Sequence, residues 1–143
     1  MRTVIRTLAA LTLTFSSAAL AQTGAHDQAA KAYTVEVSPP IKVKRGVQAS
    51  ARVAVVPVSS AHVSPDAPIS LKLSSGKAVE LGKAKLGRGD AKETAQKGVE
   101  FQVPFTGKEP GHDEIKGTLS FFICTAQICE QQKRDVTLAV VVE

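Results

Sequence analysis

Val99, Phe101, Val103 and Phe105 alternate with Glu100, Gln102 and Pro104. An extended chain sends successive side chains to opposite faces, so this stretch sorts its apolar and polar residues only as a half-buried strand. The same period of two recurs along the chain. Tyr33, Val35 and Val37 alternate with Thr34, Glu36 and Ser38 before Pro39-Pro40, which lack the N–H groups a ladder needs. Residues 41–44 end at Gly46, and a Val- and Ala-rich run covers 47–58. Ile69, Leu71 and Leu73 alternate ahead of Gly76; Val79 and Leu81 follow, with Leu86 as a further candidate. Residues 118–123 and 136–142 complete the set.

Seven to eight short strands separated by turn formers, with no convincing helical period in the mature chain, predict an all-β chain. The expected architecture is an immunoglobulin-like antiparallel β-sandwich. The glycine-punctuated stretch "GRGDAKETAQKG" reads as a loop, and its Arg-Gly-Asp triplet as incidental.

The N-terminus has another composition. Arg2 and Arg6 precede an uncharged apolar run from Leu8 to Leu20, and Ala19-Leu20-Ala21 offers small residues for cleavage. That is the pattern of a secretory signal peptide over residues 1–21. The run is shorter than the roughly 20 apolar residues of a membrane span and is interrupted by Thr12, Thr14, Ser16 and Ser17. Residues 22–32 are small and polar and read as a flexible leader, so the domain is expected over 33–143, without a membrane span in the mature chain. Cleavage removes two of the 18 Lys and Arg, leaving 16 against 13 Asp and Glu, a net charge of +3. The lysines are dispersed and not interleaved with aromatics, which argues against nucleic-acid binding. The expected location is the periplasm or outside the cell.

Only two cysteines occur, Cys124 and Cys129, in "SFFICTAQICEQQKRD". Five positions apart, they belong to one hairpin or loop and do not bridge two sheets, as the cysteines of antibody domains do. A four-residue connection brings two strand ends near the roughly 5.5 Å Cα separation of a disulfide, and an exported protein meets an oxidising environment. Closing so short a loop stabilises by only about 2 kcal/mol, which leaves both a structural staple and a redox centre open. Lys133 and Arg134 are near enough in sequence to favour a thiolate, Phe122 and Ile128 to shield it, and no histidine adjoins either cysteine. Metal binding is disfavoured, because no H-x-H or C-x-x-C spacing exists. His62 in "SSAHVSPDAP" and His112 in "EPGHDEIKG" read as turn residues near Asp66 and Asp113. Neither G-x-S-x-G, H-E-x-x-H nor a phosphate loop is found.

The signal peptide, a chain of this length, and the segments "HVSPDAPISLKL", "GVEFQVPF" and "GTLSFFICTAQICEQQKRDVTLAV" together resemble the N-terminal periplasmic domain of the thiol:disulfide interchange protein DsbD. The likeness covers roughly residues 33–143. It implies that Cys124 and Cys129 are an exchanging pair with no metal or organic cofactor. It also implies a periplasmic thiol protein or a membrane electron donor as partner. In that family an aromatic loop caps the disulfide, whereas the corresponding "LGRGDAKETAQKG" has no aromatic residue. The expected function is therefore that of an exported accessory of thiol-disulfide exchange. The alternative is a non-catalytic binding or structural module whose disulfide pins the last hairpin.

Overall fold

The computed structural model describes residues 20–143. The charged start and most of the apolar run of the expected signal peptide, residues 1–19, lie outside the described residues. Eleven strands follow one helix: α1 (Leu20–Lys31), β1 (Tyr33–Val37), β2 (Ile41–Val43), β3 (Gln48–Pro57), β4 (His62–Val63), β5 (Ser70–Ser74), β6 (Val79–Leu81), β7 (Lys85–Gly87), β8 (Ala91–Glu93), β9 (Val99–Gly107), β10 (Gly111–Cys124) and β11 (Cys129–Val142).

Two sheets result. The first runs β1-β3-β9, with β6 and β8 sharing the far edge of β9, and every pairing is antiparallel. The second runs β2-β11-β10-β5-β7, with β4 beside the end of β10; only β2, against β11, is parallel. Strands one, two, four and five of an immunoglobulin domain make one sheet and strands three, six and seven the other, and β1, β3, β9 and β5, β10, β11 take those places. The chain is an immunoglobulin-like β-sandwich.

The alternation in sequence is the alternation of burial. Val99, Phe101, Val103 and Phe105 of β9 face inward together with Ile115, Leu119, Phe121 and Ile123 of β10. With no tryptophan available, Phe101, Phe105 and Phe121 are the largest fully buried side chains, and burying each contributes about 1.5–3 kcal/mol. Tyr33 meets Phe121 edge to face, centroids 4.9 Å apart.

The strand count exceeds the seven to eight expected because β4, β7 and β8 are only two or three residues long, too short to establish a period. They also correct the loop expected at residues 87–98. After β6 the chain crosses to the second sheet as β7, turns through a single 3-10 turn at Arg88–Asp90, and returns to the first sheet as β8. The triplet at that turn is engaged within the fold. Arg88 donates to the carbonyls of Ser64 and Ala67, while Asp90 accepts from Lys83 and, at 3.0 Å, from the Gly87 N–H. Lys83 foremost, then the Gly87 N–H, holds the Asp90 carboxyl below its ordinary range.

β10 and β11 also begin earlier than the apolar pattern shows, for two physical reasons. On β10 the inward position 117 is glycine, since an added Cβ would stand 2.9 Å from Val136 Cγ2 and 3.0 Å from Leu71 Cδ1. On β11 the residues on the inward side before Val136 are Glu130, Gln132 and Arg134. These polar groups meet the start of the chain instead of the aliphatic core. Glu130 pairs with His26 at 2.7 Å, Gln132 accepts from the Tyr33 hydroxyl, and Arg134 lies over the Tyr33 ring.

Helix α1 replaces the flexible leader expected over residues 22–32. Its alanines are strong helix formers, but twelve residues make a marginal helix unless packed. Packing comes from Ala29, which is fully buried, and from the His26–Glu130 contact with β11. Burying small methyls leaves no conspicuous apolar stripe, so the helix escapes a reading by periodicity. No helix among the described residues is long and apolar enough to cross a membrane.

Candidate functional site: the hairpin disulfide

β10 and β11 pair along their whole length, from Gly111 opposite Val142 to Cys124 opposite Cys129. Thr125-Ala126-Gln127-Ile128 closes the hairpin, with the Thr125 N–H donating to the Ile128 carbonyl at 2.8 Å. That bond makes the adjacent cysteine pair the non-hydrogen-bonded kind, in which opposed side chains stand closest. Their Cα atoms are 4.0 Å apart, and a disulfide joins them.

Ile123 faces the core, so Cys124 and its partner Cys129 face outward on the second sheet. The two differ in exposure. Cys124 is buried, only 3% exposed, whereas Cys129 is exposed at the hairpin end. One residue of the pair is thus open to solvent and the other withdrawn from it.

The neighbourhood differs from the one expected by nearness in sequence. Lys133 stands opposite Ser120, four residues along β11 and about 13 Å from Cys129. Arg134 is turned inward over Tyr33, its guanidinium 5.4 Å from the ring centroid. Neither cation adjoins the disulfide. Of the two expected shields, Ile128 packs against the core, while half-buried Phe122 shares the outer face with Cys124, two residues along β10.

A histidine does adjoin the pair, contrary to the reading from sequence neighbours. β4 lies antiparallel to the end of β10, with Val63 opposite Ile123 and His62 opposite Cys124. His62, half-buried, is therefore a strand residue on the same outer face as the disulfide, and not a turn residue. The signal was too short to detect, since two residues cannot display an alternation. Three backbone anchors hold this short strand: Val63 N–H to the Lys97 carbonyl, Ser64 N–H to the Phe122 carbonyl, each 2.9 Å, and Arg88 to the Ser64 carbonyl at 2.7 Å. In the loop after it the Ala67 N–H donates to Ser64 Oγ, a turn bond made by the serine.

On its other side His62 borders a cavity of about 190 Å³ lined also by Pro65, Arg88, Glu93, Thr94 and Lys97. His112 belongs to β10 at the opposite end of the hairpin, opposite Val141. Its neighbour Asp113 accepts from the Gly76 and Val79 N–H groups at 3.0 Å each and so pins the β5–β6 connection. Among the described residues, no three His, Cys, Asp or Glu side chains gather as a metal centre would require.

No family model matches the chain, and no curated protein does. Solved structures with similar backbones include trypsin-activated alpha-2-macroglobulin from Escherichia coli, at 13% identity and a TM-score of 0.47 over 76% of this chain and 7% of that one. AggA, the major subunit of aggregative adherence fimbriae type I from Escherichia coli, aligns at 14% identity and a TM-score of 0.45 over 78% of this chain and 94% of that one. Murine CRIg aligns at 12% identity and a TM-score of 0.39 over 78% and 98%. The chain thus spans a small fraction of the macroglobulin it resembles and nearly the whole of the other two.

Proposed function

We propose that this chain is an exported accessory of thiol-disulfide exchange, akin to the DsbD N-terminal domain, with Cys124 and Cys129 as its reacting pair. The observation that carries the reading is the unequal exposure of two disulfide-bonded residues at a hairpin tip. A staple is poorly placed here. The ladder already pairs Cys124 with Cys129, and closing six residues adds only about 2 kcal/mol.

In the oxidised protein a partner thiolate attacks Sγ of exposed Cys129. A mixed disulfide forms, the Cys124–Cys129 bond breaks, and Cys124 leaves as a thiolate that takes up a proton. The partner's second thiol, on losing its proton, attacks its own sulfur in the mixed disulfide and releases Cys129. Two electrons and two protons pass to the pair, and the partner dithiol becomes a disulfide. Run backwards, the Cys129 thiolate opens a partner's disulfide and Cys124 resolves the intermediate. A periplasmic thiol protein and a membrane electron donor are the two classes of partner this cycle needs. Export rests on the signal-peptide pattern of residues 1–21.

The test is the reduction potential of the pair in glutathione buffers. A value between about −270 and −120 mV fits exchange, whereas one below about −300 mV marks a resistant bond and overturns the proposal in favour of a structural hairpin disulfide.

A further inference from the structure

We infer that His62 is the proton donor and acceptor for the Cys124 sulfur when the disulfide opens and closes. The inference deepens the exchange reading, on which its biological use rests. Cys124 is the withdrawn member of the pair, at 3% exposure, so its thiolate leaves water-poor surroundings that disfavour charge. A thiolate that is costly to form is a slow leaving group unless a cation or proton donor stands beside it. His62 occupies that place, 62 residues away in sequence and directly opposite Cys124 in the ladder. Directly opposed side chains have Cβ atoms about 4.5–5.5 Å apart, within reach of an imidazole.

The surrounding bonds fix this juxtaposition. The Ser64 N–H bond to Phe122 sets the β4–β10 register, so that Cys124 turns its backbone toward His62 and its side chain to the face they share. Arg88 is occupied by the carbonyls of Ser64 and Ala67. Of the other charged groups around His62, Glu93 and Lys97 line the same cavity with opposite charges, and Asp66 lies on the exposed loop beyond β4. From β10 and β11 the facing groups Phe122 and Gln131 carry no charge. The charge that changes with redox state next to the imidazole is thus the Cys124 thiolate. When the bond breaks, the imidazolium gives its proton to the departing sulfur; when it re-forms, the neutral imidazole takes that proton back.

The first measurement uses the native sequence. The His62 imidazole is titrated by NMR in the oxidised protein and after reduction with dithiothreitol. In the reduced protein the ring signals are expected to move a second time at higher pH, as the Cys124 thiol beside them ionises, and to show no such step when oxidised or in Cys124→Ser. Absence of that second step in the reduced native protein overturns the inference. The second measurement follows reduction by glutathione against pH, normalised to the glutathione thiolate present. The native rate is expected to fall about three- to tenfold as pH rises through the imidazole range, while His62→Asn stays flat at the lower value. Superimposed profiles overturn it.

Failure of the two readings is separable. A potential typical of resistant bonds with the second His62 step present removes exchange and leaves the proton transfer standing. An exchange-range potential without that step does the reverse.

Discussion

The Tyr33 hydroxyl donates a buried hydrogen bond of 3.0 Å to Gln132 Oε1, joining the first strand of one sheet to the last strand of the other. Tyr33→Phe leaves the buried Gln132 acceptor without this partner and is expected to cost about 1–3 kcal/mol in urea unfolding at unchanged m-value. Burial foremost, opposed by Arg134, holds the Tyr33 hydroxyl above its ordinary value. A raised folded value means the stability is whole below the unfolded tyrosine value of about 10 and is lost as pH climbs past it. The variant's alkaline limb should accordingly be flatter. An unchanged midpoint in urea and an unchanged alkaline limb would show the bond to be idle.

Changing both cysteines to serine should lower stability by about 2 kcal/mol or less and leave the fold in place. The ladder and the Phe101–Phe121 core do not depend on the bridge. Melting of the native and variant proteins, with and without reductant, checks this. A variant that fails to fold would show the bridge to be a structural requirement.

Arg88→Lys should loosen β4 almost as much as Arg88→Ala. Two carbonyls, of Ser64 and Ala67, share one guanidinium nitrogen, and a lysine ammonium on a shorter, differently shaped stem does not reproduce that placement. The expected sign is faster amide exchange at Val63 and Ser64 without a matching change in β9, read by hydrogen exchange. Unchanged protection at these amides would contradict it.

On the outer face of the first sheet Arg52 joins Glu100, at 2.6 Å, and Glu36, at 3.1 Å, across three strands. Arg52 foremost, then the Gln102 amide, holds the Glu100 carboxyl below its ordinary range. A depressed folded value contributes stability above the unfolded glutamate value of about 4.3, and that contribution is lost as pH falls through the folded one. Arg52→Gln should move Glu100 back toward the ordinary range in an NMR titration, the Gln102 amide still holding it down in part, and salt should weaken the native effect. A Glu100 midpoint indifferent to the substitution would refute the assignment.

Gly98 stands where an added Cβ would strike the Val55 carbonyl and lie 2.8 Å from Pro57 Cδ, while Lys97 before it holds φ at 58°. Gly98→Ala should therefore be strongly destabilising. Lys97→Gly removes a left-handed penalty of about 1 kcal/mol and should be close to neutral or stabilising by denaturant melting. Equal effects from the two would mean that close approach does not govern this turn.

What the order of residues determined is local. Alternation tells each residue its face, so Phe101 and Phe105 were legible as core and the long strands as strands. Five positions between Cys124 and Cys129 confine the pair to one hairpin whatever the rest of the chain does. What only the tertiary structure decided is which distant segment lies alongside. Register between β4 and β10 brings His62 to Cys124, and β1 with α1 supplies Tyr33 and His26 to the polar inward residues of β11. Strand pairing is a contact between segments far apart in sequence, and neither partner carries its own mark of the other. For the same reason the exposed Cys129 and the buried Cys124 are indistinguishable as letters. Their difference arises from what the folded chain places on one and leaves off the other.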